Sequence, residues 1–181
     1  MSEQIILTGR DIERIIADTA ARVCADIGED ADSFGIVGIQ TRGVELADRI
    51  RALIERDSGK RIKSGTLDIT FYRDDLSTRG VLPVIKETRI EFDITDMTIL
   101  LVDDVIFSGR TTKAALETLM SFGRPRAIRF FVLIDRGNRE LPIQPDYCGY
   151  KIETGPTDQV RVLLAQTDGT GDSVVLQPNG A

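Results

Sequence analysis

The residues best suited to chemistry lie in one stretch of this 181-residue chain, between positions 99 and 111. Four apolar residues predict a buried strand, and two adjacent carboxylates, Asp103 and Asp104, follow at its expected end. A short turn comes next, Ser108-Gly109-Arg110-Thr111, and a helical pattern begins near Thr112. The stretch therefore reads as a strand, an acidic pair, a turn and the start of a helix.

The turn before the helix predicts a site for an anion. Unpaired backbone N–H groups at a helix start point toward an anion, and the helix dipole favours negative charge there. Gly109 permits a positive φ, and its missing Cβ lets a phosphate approach the backbone. The carboxylates suit hydroxyl groups or Mg²⁺ instead, because they accept hydrogen bonds and are hard oxygen ligands. A ribose 5-phosphate carries both kinds of group.

A second strand, turn and helix precede the first. Residues 34–39 are apolar or glycine, and Gln40-Thr41-Arg42-Gly43 follows before a helical pattern that continues to Ile54. Arg42 offers a planar fork of donors for a phosphate, and Gly43 allows close approach of the backbone. We expect the two loops to contribute to the same site.

The remaining periodicity predicts an α/β fold with a mainly parallel, twisted sheet and helices on both faces. Thr8 and Asp11 have the spacing of a capping box before a first amphipathic helix, and residues 127–134 form another apolar strand. In the helix after the acidic pair, Ala115, Leu116, Leu119 and Met120 are predicted to face inward. A last strand is predicted at 160–165, and the glycine-containing segment after it is predicted to be loose.

The composition limits the classes of protein. We expect one domain, 1–181, and a cytoplasmic location, because no run approaches about 18 apolar residues and the N-terminus shows no signal peptide. Cys24 and Cys148 are predicted to be reduced thiols. The chain has no histidine, which excludes histidine-based triads, and its formal net charge is −6. That charge argues against non-specific nucleic-acid binding.

The stretch from 99 to 111 resembles the phosphoribosyl pyrophosphate (PRPP) motif of type I phosphoribosyltransferases. The resemblance implies their fold, which has a flexible flap and a small hood. It implies that Asp103 and Asp104 hold the ribose hydroxyls and Mg²⁺, the metal either directly or through water, and take part in catalysis with Arg42. PRPP or UMP is then bound by Thr41, Arg42, Gly43, Asp103, Asp104, Val105, Phe107, Ser108, Gly109, Arg110 and Thr111.

The segment from Arg73 to about Arg89 is predicted to be a mobile flap, with a plain β-hairpin as the alternative. In the family, a loop at this place closes over PRPP. The resemblance implies that Arg73 reaches pyrophosphate as a catalytic residue, while Asp74 or Asp75 orients another group.

Phe107 bears on the acceptor base. Purine transferases of this class typically carry an Asp at that place, whereas Phe cannot accept a proton and suits a flat wall beside a pyrimidine. Segments 37–43, 67–75, 102–111 and 135–142 together resemble the PyrR family. That resemblance implies the formation of UMP and pyrophosphate from uracil and PRPP, with Mg²⁺ as cofactor.

The same resemblance implies a hood and an oligomer. The hood would comprise roughly residues 135–150 with parts of the N- and C-terminal segments. Backbone groups near Ile134, Asp135, Arg136 and Gly137 would read the edges of uracil. Members of the family form dimers or higher assemblies.

The PyrR family also implies RNA-dependent regulation of pyrimidine operons, with UMP or UTP as effector and a leader mRNA as partner. Residues 110–151 contain eight Lys/Arg and four Asp/Glu, a balance of +4, and Arg124, Arg126, Arg139 and Lys151 are the candidate RNA contacts. RNA-binding members show a Thr and a His on the first helix, where this chain has Ala17 and Ala21. Two alternatives stay open, a transferase without RNA binding and a nucleotide-sensing regulator without significant catalysis.

Overall fold

The structure is a computed structural model that describes residues 3–28, 31–69 and 87–178. Its elements are β1 (Gln4–Thr8), α1 (Gly9–Ile27), β2 (Phe34–Ile39), α2 (Arg42–Ser58), β3 (Lys63–Leu67), β4 (Thr98–Ile106), α3 (Arg110–Met120), β5 (Ala127–Asp135), β6 (Tyr147–Lys151), β7 (Gln159–Leu163), α4 (Ala165–Asp168) and β8 (Ser173–Gln177). A short 3-10 turn, Ala31–Ser33, precedes β2.

The main sheet has five parallel strands in the order β3-β2-β4-β5-β6, which confirms the predicted α/β fold. From β2 the chain passes through α2 to β3 on one side, and from β4 it passes through α3 to β5 on the other. The strand order therefore reverses between β2 and β4. Open α/β sheets bind ligands at such a switch point, beyond the carboxyl ends of the strands.

Successive side chains along the strands point alternately into two apolar layers, one on each face of the sheet. Ile36, Leu100 and Leu133 belong to the layer that also contains the buried residues of α1 and α2. Val37, Leu101 and Val132 belong to the other layer, with Ala115 and Leu119 of α3. The period of two along each strand thus covers both faces of the sheet, as near-continuous apolar strands predict.

A separate antiparallel sheet joins the two ends of the described chain in the order β1-β8-β7. The predicted strand at 160–165 appears as β7, but the prediction of a loose segment after it was wrong. Val174 and Val175 of β8 are buried. The sequence pattern missed β1 and β8 because each is only five residues long and they pair with each other across the length of the chain.

Three other local predictions need correction. Asp103 and Asp104 lie within β4 rather than after it, because β5 continues the pairing as far as Ile106. Met120 is 53% exposed rather than inward, at the last residue of α3. Part of the predicted hood, residues 147–150, is instead edge strand β6, which pairs with β5.

The capping box is confirmed: the Asp11 amide donates to Thr8 Oγ1 at 3.4 Å, and the Thr8 amide donates to Asp11 Oδ2 at 3.0 Å. Among the helices that the structure describes, none is long and apolar enough to cross a membrane. The predicted flap residues Arg73, Asp74 and Asp75 lie outside the described residues.

Candidate active site

Two glycines bring the start of α2 against the ends of β2 and β4. A Cβ on Gly38 would lie 2.5 Å from the Cα of Val44, and a Cβ on Gly43 would lie 2.4 Å from the Val102 carbonyl oxygen. Both distances are far below ordinary contact, so any side chain would force backbone to move. The loop carrying Thr41 and Arg42 therefore lies directly beside the strand that carries the acidic pair.

The acidic pair is held by backbone hydrogen bonds. Asp103 is buried, with 6% of its surface exposed, and its Oδ1 accepts from the Asp104 amide at 2.9 Å. Asp104 is half-buried, and its Oδ1 accepts from the Val105 amide at 2.9 Å. Each carboxylate is thus oriented by the peptide that follows it, which leaves acceptor capacity for a ligand because each carboxylate has about four lone-pair sites.

The predicted anion turn lies at the start of a helix and contains a residue with positive φ. Gly109 has a φ of 91° and immediately precedes α3, which begins at Arg110. Ser108 is buried, and its Oγ accepts from the Arg110 amide at 3.3 Å. Its carbonyl accepts from the amides of Glu140 and Leu141 at 2.9 and 3.0 Å. The turn is therefore fixed from both sides at the positive end of the helix dipole.

Arg42 lies at the first position of α2, after a cis peptide between Gln40 and Thr41. The resemblance to phosphoribosyltransferases implies unusual backbone geometry in this loop. The guanidinium donates from Nε and Nη2 to the two carboxylate oxygens of Asp168, at 3.0 and 2.6 Å. Hydrogen bonding to Asp168 raises the pKa of Arg42, and the charge of Asp104 adds to that rise. Arg42 is thus within electrostatic reach of the acidic pair.

The segment after β5 is organised by Arg139, a residue predicted to contact RNA. Only 13% of its side chain is exposed, and its Nη2 lies 2.7 Å from Oδ2 of the buried Asp135. Its Nη1 and Nε donate to the carbonyls of Phe107 and Ile143 at 3.0 and 2.9 Å. Arg139 therefore ties this loop to the loop after β4, and that interior position argues against a surface role.

Arg136 covers the ring of Phe107. Its guanidinium carbon lies 4.2 Å from the ring centroid, and Nε and Nη2 donate to Thr154 Oγ1 and the Gly155 carbonyl at 3.2 and 3.1 Å. Burial lowers the pKa of Arg136, although arginine remains charged at neutral pH. The flat wall predicted at Phe107 is thus one half of a stacked cation–ring pair.

Two backbone donors of the predicted uracil segment are already engaged. The Arg136 amide donates to the Ile106 carbonyl at 3.2 Å, and the Gly137 amide donates to Asp135 Oδ1 at 3.0 Å. The Arg136 carbonyl already accepts from Thr154 Oγ1 and Asn138 Nδ2 at 3.0 and 3.4 Å, and the Gly137 carbonyl accepts from Arg139 Nη1 at 3.3 Å. Since a carbonyl oxygen has two lone pairs, the Gly137 carbonyl is the better acceptor for a base.

The structure does not bring the four candidate RNA residues together. Arg124 and Arg126 are exposed just before β5, at the amino ends of the strands. Lys151 ends β6 beside Asp135, at the carboxyl ends of the strands. The length of β5 separates the two ends of the sheet by about 25 Å. Several other cations of the +4 segment are in ion pairs: Arg110 with Glu140, Lys113 with Glu117 and Arg129 with Asp146.

The sequence analysis missed an ionic network between α2 and the segment around α4. Glu45, which is 5% exposed, accepts from the Thr167 amide and hydroxyl at 2.9 and 2.7 Å. Arg49 donates to both Glu45 and Asp172. The only sequence signal was the spacing of Glu45 and Arg49, four residues apart on one helix, which usually indicates a solvated surface pair.

A family model for a phosphoribosyl transferase domain matches residues 2–164. Solved structures show the same fold. The hypoxanthine phosphoribosyltransferase of Trypanosoma cruzi superposes with a TM-score of 0.72 at 18% identity and covers 97% of each chain. Because the family model covers most of the chain, the chain belongs to the phosphoribosyltransferases.

Curated relatives narrow the class. The protein named "Bifunctional protein PyrR" of Chloroflexus aurantiacus is 45% identical over 176 residues, covering 97% of this chain and 96% of that one. The protein of the same name in Caldicellulosiruptor saccharolyticus is 52% identical over 146 residues, covering 81% and 80%. The chain belongs to the PyrR family, and the resemblance carried by its motifs is confirmed.

Gly43→Ala tests the close approach of the two loops. The added Cβ meets the Val102 carbonyl, so we expect a loss of about 1–3 kcal/mol in unfolding free energy. We also expect weaker UMP binding, because the acidic pair or the arginine loop must shift. Urea unfolding and calorimetric titration with UMP measure the two effects.

Gly171→Ala is the matched control, since a Cβ there meets nothing within 4 Å. If both variants keep wild-type stability and UMP affinity, the tight contact at Gly43 does not hold the site together.

Proposed function

We propose that this protein transfers the ribose 5-phosphate of PRPP to uracil, releasing UMP and pyrophosphate, and that it also regulates pyrimidine operons through RNA. One observation carries the enzymatic part. An acidic pair lies on β4 with the turn 108–111 after it, and the arginine loop follows the adjacent strand β2. These are the groups that the two ends of PRPP require, in a chain of the PyrR family.

The turn 108–111 anchors the 5-phosphate of the ribose. Backbone N–H groups at the start of α3 and the hydroxyls of Ser108 and Thr111 supply donors, and the helix dipole favours the negative charge. The positive φ of Gly109 aims the turn. Binding at this end fixes the sugar relative to the rest of the site, which converts transfer into a reaction between positioned groups.

The acidic pair acts on the ribose. Asp103 and Asp104 accept hydrogen bonds from the 2- and 3-hydroxyls, with Val105 continuing the strand beneath the sugar. The bond from the anomeric carbon to pyrophosphate breaks, the bond to uracil N1 forms, and the N1 proton leaves with the pyrophosphate. During this exchange positive charge develops on the ribose. Two carboxylates fixed by backbone hydrogen bonds stabilise that charge without reorganising.

The donor set fits Mg²⁺. Carboxylate oxygens are hard ligands, and Mg²⁺ in such sites takes one or two carboxylates together with substrate phosphates. Within residues 3–28, 31–69 and 87–178, no cluster of three or more Asp, Glu, His or Cys forms a protein-only cage. We therefore propose that Asp103 and Asp104 hold Mg²⁺ with PRPP, directly or through water. The metal would neutralise charge on the pyrophosphate.

The loop at Thr41, Arg42 and Gly43 receives the leaving pyrophosphate. The guanidinium of Arg42 is a fixed charge with donors in a planar fork, which matches phosphate oxygens. Arg73, Asp74 and Asp75 stay predictions of a closing flap, outside the described residues.

Uracil is placed beside the stacked pair of Phe107 and Arg136. A phenyl ring has no acceptor for a purine ring proton, so the wall favours a pyrimidine. We propose that a backbone carbonyl oxygen between Ile134 and Gly137 accepts from uracil N3–H, because N1 forms the bond to the ribose and two of the amides there are already engaged.

The wider setting follows the family. We propose a single phosphoribosyltransferase domain, 1–181, acting in the cytoplasm as a homodimer or higher oligomer. UMP or UTP would serve as the effector of RNA binding, because UMP is the product of the proposed reaction and binds at the same site.

Asp103→Asn/Asp104→Asn tests the enzymatic proposal. The double variant keeps the shape of the two side chains and removes their charges, so we expect UMP formation to fall at least about 100-fold. Product is measured from uracil and PRPP with Mg²⁺, and hypoxanthine as rival acceptor should give no comparable product.

Asp48→Asn, an exposed carboxylate on α2, is the control and should retain full activity. A folded wild-type protein that gives no product with uracil would contradict the transferase and favour a nucleotide-sensing regulator.

RNA binding is supported by family membership and by two exposed cations, Arg124 and Arg126. Ala17 and Ala21 on α1, which replace the Thr and His of RNA-binding members, are exposed and count against RNA binding. The structure argues against Arg139 as a contact, and Lys151 lies at the carboxyl ends of the strands. We therefore propose that RNA contacts centre on Arg124 and Arg126, at the amino end of β5.

Arg124→Ala/Arg126→Ala tests this surface. If both arginines contact phosphates, affinity for a pyrimidine-operon leader transcript should fall. The negative slope of log affinity against log salt concentration should also become shallower by about 2. Filter binding with and without UMP measures both, with Lys113→Ala as a surface control. Absence of any UMP-dependent binding in the wild type would favour the transferase-only alternative.

A further inference from the structure

The arginine of the pyrophosphate loop has a carboxylate partner from the far end of the chain. Asp168 receives two hydrogen bonds from Arg42, in a bidentate arrangement across 126 residues of sequence. The side chain of Asp168 is 16% exposed and that of Arg42 is 32% exposed. Bidentate pairs of this kind fix the plane of the guanidinium as well as its position.

Asp168 is itself anchored. Its Oδ2 accepts from the Leu164 amide at 2.9 Å, and its own amide donates to the Leu164 carbonyl at 2.7 Å. Two further carboxylates hold the segment. The Ala165 amide donates to Asp172 Oδ1 at 2.8 Å, and Glu45 of α2 accepts from Thr167. The carboxylate is therefore the fixed partner, and the long side chain of Arg42 is the partner that it orients.

The charge distribution around Arg42 is consistent with an orienting role. Hydrogen bonding from Arg42 lowers the pKa of Asp168, so this carboxylate is ionised at neutral pH. The negative charge of Asp104 also acts on Arg42. The guanidinium is thus attracted by three carboxylates: Asp168 of the segment around α4, Asp104 of the acidic pair and Glu45 of α2.

The donors of Arg42 are not exhausted by this pair. A guanidinium has five N–H donors, and within the described part of the chain the hydrogen bonds of Arg42 to Asp168 use Nε and one Nη2 hydrogen. The remaining N–H groups lie on the other edge of the same plane. An arginine held along one edge presents the other edge in a fixed direction, with less side-chain entropy to lose when it binds.

We propose that Asp168 is a positioning residue that holds Arg42 in place for the pyrophosphate of PRPP. The inference rests on the proposed function, because it assigns Arg42 to pyrophosphate. It makes the segment after β7, which the sequence pattern predicted to be loose, a working part of the site.

Asp168→Asn tests the proposal, because it keeps the shape of the side chain and removes the charge that holds the guanidinium. We expect affinity for Mg²⁺-pyrophosphate, measured by calorimetric titration without uracil, to weaken about 10-fold. The KM for PRPP should rise by a similar factor while the KM for uracil stays unchanged. Asp168→Glu keeps the charge and should recover part of the affinity.

Asp48→Asn is the control. Asp48 is an exposed carboxylate on α2 that pairs with Arg51 rather than Arg42, so its loss should leave pyrophosphate affinity within about twofold of wild type. Thermal unfolding of each variant reports whether the segment remains docked.

The outcomes separate cleanly. Pyrophosphate affinity that is unchanged or tighter in Asp168→Asn overturns the positioning role. An equal loss in Asp48→Asn also overturns it, because the loss would then follow from the removal of any nearby negative charge rather than from the pair with Arg42. A wild-type protein that forms no UMP contradicts the proposed function, but the titration still decides on Asp168 because it requires no turnover.

Discussion

The site depends on the direct pairing of β2 with β4. Parallel register opposes Gly38 to Val102, so β2 ends beside the acidic pair of β4, and the loop after β2 lies against that pair. Gly38 and Gly43 then let the start of α2 lie on the backbone of both strands. A switch point in strand order creates a crevice, and the two glycines bring its walls close enough to hold one ligand between an arginine loop and an acidic pair.

Different kinds of group occupy different parts of that crevice, and each has its own support. The anion turn is fixed by Ser108 and by the start of α3, and the carboxylates are fixed by the amides that follow them. Arg139 ties the loop after β5 to the loop after β4. The charged groups are held in place before a ligand arrives. They can therefore act by positioning and by electrostatic stabilisation, neither of which requires a histidine.

Local patterns could be predicted from the sequence, and distant pairings could not. The motif at 99–111, the capping box at Thr8 and the alternation of apolar strands with helices each lie within about 20 residues, so propensity and periodicity reveal them. Asp168 is invisible to such patterns because its partner is 126 residues away. Arg139 was misread for the same reason: a basic residue in a polar turn looks exposed until its partners in other loops are known.

The most direct test of this account is an amide NMR titration of the wild-type protein with UMP. We predict that the shifts concentrate on residues 103–111 and 134–137, at the carboxyl edge of the sheet, together with the loop at 41–43. The opposite edge has its own cleft of about 450 Å³, lined by residues that include Arg22, Arg126 and Tyr147. Shifts confined to that cleft would contradict the assignment of the acidic pair and the anion turn as the nucleotide site.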